Sequence, residues 1–139
     1  MIAGLASGSG KTMVTLGLLR ALARRGKTPA AGKTGPDYID SGFLSVAAGR
    51  KAVNLDQFAM SKPLLAHLAA DQAGDTLIIE GVMGLFDGAS GSAGSSAALA
   101  KTLDIPVILV MDIRHTAQTA AMIAGFAPVG LRGWQAVHS

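Results

Sequence analysis

Six residues near the start of the chain, Ser7-Gly8-Ser9-Gly10-Lys11-Thr12, stand between a short apolar run, "MIAGLA", and an uninterrupted helical pattern from Lys11 to Arg25. Few folds tolerate so many small, flexible residues at that junction. A glycine-rich loop between a strand and a helix lets backbone N–H groups converge on one point, where the helix N-terminus adds its partial positive charge. That point is an anion site, and the residues that close it name the anion. Lys11 is placed to reach the β- and γ-phosphates of a nucleotide, and the Thr12 hydroxyl to ligate Mg²⁺. Ser7, Gly8, Ser9 and Gly10 form the cradle. One departure from the common spacing is visible: five residues separate Gly4 from Gly10 where four are usual, so Leu5 stands at the first-glycine position. The alternative, a flexible loop that merely caps a helix, leaves the strand before it unexplained.

Beyond the loop, apolar Val14, Leu18, Leu19 and Leu22 mark one face of the first helix, and Gly26 ends it. "TPAAGKT" (28–34) reads as a second strand, followed by the loop "GPDYIDSGF" and short helices near 42–48 and 62–72. "DTLIIEG" (75–81) is a short buried strand, and "GASGSAGSS" (88–96) is a loop leading into a helix through Ala97 to Leu103. "IPVILVMD" (105–112) is the clearest strand, "TAQTAAMIAGF" is helical, and "LRGWQAV" is a closing strand. Strands alternating with helices imply a parallel sheet joined by right-handed crossovers. With 139 residues, no repeat and no linker, one domain is expected. Half of the residues are hydrophobic and only 4% aromatic, which suits closely packed α/β layers better than a β-sandwich.

Composition also excludes chemistry. There is no cysteine, hence no disulfide, thiolate metal site or cysteine nucleophile. His67, His115 and His138 form no HxxxH or HExxH spacing, so zinc is not expected, and no GxSxG nucleophile elbow is present. No apolar run approaches the roughly 18 residues of a membrane span, and no basic segment leads into an apolar core at the N-terminus, so a cytoplasmic protein without membrane contact is expected. The net charge of +3 favours an anionic partner. Because the basic residues are dispersed and lack interleaved aromatics, that partner is not expected to be nucleic acid.

Three further constellations carry polar groups toward the carboxyl ends of strands, where open α/β sheets bind ligands. In "TLIIEGVMGLFDG", Glu80 ends a buried strand and is the chain's one glutamate, a candidate Mg²⁺ ligand; Asp87 follows in the loop. In "GKTGPDYIDSGF", Lys33, Asp37, Tyr38 and Asp40 are presented by a segment restrained at Pro36, either as a site or as an Asp-rich turn. Asp56 in "NLDQF" is a metal or substrate carboxylate or, equally, a helix cap. Asp112 ends the strongest strand, with Arg114 and His115 after it, and reads as a surface-loop residue rather than a crevice residue.

With "SGSGKT" followed by "VTLGLLRAL", "GPDYID", "NLD", "EGVMGLFDG" and "AALAK...PVILVMD" in this order, the chain resembles the synthetase domain of the cobyrinic acid a,c-diamide synthase family, a relative of dethiobiotin synthetase. The resemblance runs to about Gly133 and implies a P-loop NTPase-like three-layer α/β fold with a mostly parallel central sheet. It implies a ligase for which ATP and Mg²⁺ activate the a and c carboxylates of a corrinoid polycarboxylate as acyl phosphates that ammonia then attacks. By similarity, Lys11 and Thr12 serve ATP and metal, and Glu80 serves Mg²⁺. Asp37, Tyr38, Asp40 and Asp87 match positions tied to substrate carboxylates, the intermediate or ammonia, and Lys33, in the same crevice, is expected to be a cofactor-binding residue. Amidation of nickel sirohydrochlorin, a dethiobiotin-type cyclisation, a P-loop switch ATPase and a nucleotide-binding fragment without turnover remain as alternatives. The family's C-terminal glutaminase domain has no counterpart in residues 1–139, which read as a synthetase domain trimmed at both ends. Ammonia is then expected from a glutaminase domain or subunit outside this chain, and the isolated chain is expected either to be marginal in stability or to depend on a homodimer partner. "GWQAVHS" departs from the family's "LNRV"-like strand end, which leaves adenine recognition open.

Overall fold

Six short strands and five helices alternate along the chain in the computed structural model, which describes residues 1–72, 74–89, 93–114, 118–126 and 135–138, with residues 123–126 and 135–138 traced as backbone. In chain order they are β1 (Ile2–Gly4), α1 (Lys11–Arg24), β2 (Pro29–Thr34), α2 (Tyr38–Ala48), β3 (Val53–Leu55), α3 (Lys62–Ala70), β4 (Thr76–Glu80), α4 (Ser96–Leu103), β5 (Ile108–Met111), α5 (Thr119–Phe126) and β6 (Gln135–His138). They form one sheet in the order β3-β2-β4-β1-β5-β6, and each of its strand pairs is parallel. The expected α/β architecture with a parallel sheet is therefore present.

Strand side chains alternate between faces, and the core follows that alternation. Ile2, Ala31, Ile78 and Val110 join Leu19 of α1 and Leu44 of α2 in one cluster, while Ala3, Ile79, Leu109 and Met111 join Leu65 of α3 and Leu99 of α4 in the other. The sheet is thus the middle of three layers. Lys33 is two residues beyond Ala31, and Glu80 two beyond Ile78, so both project onto the face covered by α1 and α2. Their backbones are register partners across β2 and β4.

Helix ends follow local chemistry. Gly26 takes a left-handed φ of 74°, and the Gly26 and Lys27 N–H groups donate back to Ala23 and Leu22 carbonyls, closing α1 as expected. Ser61 and Ser95 cap α3 and α4 through Leu64 and Ala98 N–H groups. Three expectations shift. The helix expected near residue 42 starts at Tyr38, because the Asp37 carboxylate accepts from the Asp40 N–H at 3.1 Å and caps the turn. Tyr38 and Asp40 accordingly lie in a helical first turn. Residues 53–55, read only as a motif, are edge strand β3, too short to show a two-residue alternation. Leu18 faces outward, and Thr15 takes its place on the buried face of α1 by donating its hydroxyl to Lys11 O at 2.8 Å. Residues 131–134 of the expected closing strand, residues 90–92 of the serine-rich loop, residues 116 and 117 of the expected last helix, and His115 lie outside the described residues.

Candidate functional site

At the carboxyl end of β1 the chain turns through the glycine loop into α1. A Cβ on Gly4 would collide with the Ser9 hydroxyl and come within 3.1 Å of Lys11 Cγ, so the unusually early glycine is required by close approach. Gly8 and Gly10 hold left-handed φ angles of 78° and 87°. Ser9 Oγ donates to Ala6 O at 2.9 Å, tying the loop to itself, and Ser7 is exposed on its crest. Lys11 folds back under the loop, where its Nζ donates to Ala6 O at 2.8 Å and Met83 O at 2.7 Å. Burial, and next the charge of Lys33, hold its ammonium below the usual lysine range despite the carboxylates of Glu80, Asp87 and Asp40 nearby.

Thr12 Oγ1 donates to Glu80 Oε1 at 2.7 Å, which joins the loop to the end of β4. Glu80 is fully buried, and the same Oε1 accepts from Lys33 Nζ at 2.9 Å. Its other oxygen, Oε2, is buried with no hydrogen-bond partner. Lys33 Nζ also lies 2.9 Å from Asp40 Oδ2 and 3.7 Å from Asp37 Oδ2. Burial pulls the Lys33 ammonium down, but its hydrogen bonds to Glu80 and Asp40 outweigh it, and the net shift is upward. Asp37 feels the same balance in reverse. Burial raises its carboxyl, while the Asp40 N–H and the charge of Lys33 bring it below its usual value. One continuous hydrogen-bonded chain, Thr12–Glu80–Lys33–Asp40, therefore links the two sequence motifs.

The rest of the expected residues fall around this chain. Asp87 Oδ2 accepts from the Gly84 N–H at 2.9 Å and shapes the loop after β4, where Met83 holds a φ of 49° and Leu85 N–H donates to Gly4 O at 2.7 Å. That loop is thereby fastened to the phosphate-type loop from both sides. Tyr38 is 75% exposed beside Asp37, its ring free to meet a ligand. Asp56 caps its own turn by accepting from the Phe58 N–H at 2.9 Å, and no hydrogen bond or ion pair among the described residues ties it to Glu80. Two further residues, not singled out as site residues by the sequence pattern, hold the site's loops. Asn54 donates to Gly35 O at 2.9 Å and Asp37 O at 3.1 Å, clamping the turn before α2, and the Ser96 hydroxyl accepts from Val82 N–H at 3.0 Å. The "NLD" motif is the sequence signal for Asn54.

Among the described residues no three acidic or imidazole side chains converge as a metal cage. The Thr12 hydroxyl and the orphaned Glu80 oxygen instead form a hard-oxygen pair. Such a pair fits a cation that keeps most of its water and takes its other ligands from a phosphate chain.

A family model described as the CobQ/CobB/MinD/ParA nucleotide binding domain matches residues 1–134. The chain is 54% identical over 127 residues to the hydrogenobyrinate a,c-diamide synthases of Mesorhizobium japonicum and Agrobacterium fabrum, covering 87% of this chain and 29% of each relative. Its identity to the Brucella anthropi enzyme of the same name is 51% over 131 residues, 91% of this chain and 30% of that one. The chain thus spans about three-tenths of the length of the curated relatives it matches.

Proposed function

Since the chain belongs to the CobQ/CobB/MinD/ParA nucleotide binding domain family, we propose that it is the ATP-dependent amidoligase part of a diamide synthase acting on the a and c carboxylates of hydrogenobyrinic or cobyrinic acid. The observation that carries this reading is the hydrogen-bonded chain from Thr12 through Glu80 and Lys33 to Asp40, which puts a phosphate loop and a cluster of acidic side chains in one crevice. The relatives' names supply the acceptor.

In this reading the N–H groups of Gly8 to Thr12 and the Lys11 ammonium bind the triphosphate. Lys11 now rests on two neutral carbonyls, so the exchange of one for a phosphate oxygen costs little charge rearrangement. Thr12 and the free oxygen of Glu80 would hold Mg²⁺, which supplies charge neutralisation on the transferring phosphoryl group. A substrate carboxylate oxygen attacks the γ-phosphorus, ADP leaves, and the resulting acyl phosphate is opened by ammonia to give the amide and hydrogen phosphate, the proton lost by nitrogen ending on the phosphate. Asp37, Tyr38 and Asp40 face the acceptor from the start of α2, and a carboxylate there has the means to take the ammonium proton. Asp87 keeps the loop after β4 in position. Residues 1–139 contain no cysteine thiolate to release ammonia from glutamine, so in this reading ammonia reaches the acyl phosphate from outside these residues.

Mass spectrometry of hydrogenobyrinic and cobyrinic acid, incubated with the folded chain, ATP, Mg²⁺ and an ammonium salt, tests the proposal. A mono- or diamide that requires ATP and disappears in Glu80→Gln is expected. Product from nickel sirohydrochlorin or diaminopelargonic acid instead would redirect the acceptor, and ATP binding without product from any acceptor would remove the catalytic reading.

A further inference from the structure

The end of β5 lies against the glycine loop: Val110 Cγ1 is 4.0 Å from the place a Cβ on Gly10 would take. Two and four residues further on, Asp112 and Arg114 join Gly8, Ser9 and Gly10 in lining a cleft of about 310 Å³. Arg114 Nη2 donates to Asp112 Oδ2 at 2.6 Å and its Nε to Asp112 Oδ1 at 3.0 Å, while the Arg114 N–H also donates to Oδ1. The guanidinium is thus held in plane by a fork on a carboxylate, with its side chain 78% exposed.

We infer that Arg114 is a second cationic contact for the nucleotide's phosphates, presented across this cleft from Gly8–Gly10 and aimed by Asp112; the inference rests on reading the loop as an ATP site. Three considerations carry it. A carboxylate bordering an anion site repels the anion unless positive charge offsets it, and Arg114 is a cation bonded to Asp112. Exposed ion pairs of this kind are weak, so a phosphate takes over guanidinium hydrogens with little loss, and the planar fork that fits a carboxylate fits a phosphate equally well. Of the two buried lysines near the loop among the described residues, Lys33 is engaged by Asp40 and Glu80, whereas Lys11 rests on neutral carbonyls and is available to a phosphate.

The test is a titration of the folded chain with ATP and with adenosine. Arg114→Ala is expected to weaken ATP binding about tenfold, the size of one charge-assisted contact, while leaving adenosine unchanged. Arg114→Lys is expected to restore part of the loss, and Asp112→Asn combined with Arg114→Ala to restore part of it by removing the repulsion. Unchanged ATP affinity in Arg114→Ala, or an equal loss for ATP and adenosine, would overturn the inference. Failure of the wild-type chain to bind ATP, or binding insensitive to Lys11→Ala, would overturn the ATP reading of the loop and this contact together.

Discussion

Two lysines feel the charge of the same glutamate, Glu80, from two regions built on opposite electrostatic plans. Lys11, under the glycine loop, rests on the neutral carbonyls of Ala6 and Met83 and has its pKa lowered; Lys33, at the end of β2, is gripped by Asp40 and Glu80 with Asp37 close by and has its pKa raised. The difference separates roles. A buried ammonium on neutral dipoles retains an unmet attraction for an anion, whereas one ringed by carboxylates has its charge satisfied and serves to hold those carboxylates together.

The contrast is broken most forcefully at Lys33. Lys33→Met leaves the fully buried Glu80 without its cation, and a loss of about 3–5 kcal/mol in urea unfolding is expected, of which the double change with Glu80→Gln recovers a large part. The raised pKa of Lys33 means that its stabilisation is fully present below about 10.5 and fades as pH climbs through its higher folded value, so the gap between wild type and variant narrows in strong alkali. A gap that stays constant there would detach the stabilisation from the charge.

Lys11→Ala is expected to do the reverse: ATP affinity falls roughly 10- to 100-fold by titration, the range of a charge-assisted contact, while the unfolding free energy changes by less than about 1 kcal/mol. A large loss of stability without loss of affinity would erase the distinction between the two lysines.

The smallest effect is expected at the cap of α2. Asp37→Ala removes the acceptor of the Asp40 N–H and costs about 1 kcal/mol. Because Asp37 has a lowered pKa, its stabilisation is present above about 3.8 and is lost as pH falls through its lower folded value, so wild type and variant converge in acid. Parallel unfolding curves down to the lowest pH would show that the cap acts without its charge.

Much of the chemistry was legible along the chain, because backbone geometry imposes it locally. Gly8 and Gly10 adopt left-handed angles that few other residues tolerate, Gly26 closes α1, and Glu80 follows a short apolar run that can only be a buried strand. The start of α2 was misplaced by four residues because "GPDY" carries turn residues whose capping role emerges only when Asp37 folds back onto Asp40. Strand β3 was missed because three residues carry no period, and its existence depends on pairing with β2.

By itself, then, the order of residues determined the strand–loop–helix unit, the class of fold and the list of polar groups, since φ preferences, capping and alternation act over a few neighbours. Tertiary structure alone decided which of those groups meet: that Thr12 and Lys33 share one oxygen of Glu80 across 68 and 47 residues, that Lys11 finds the Met83 carbonyl, and that Asp112 and Arg114 come to the edge of the glycine loop. Contacts over such separations are set by the register of parallel strands and by the order in which they line up, and neither is written in any local stretch of the chain.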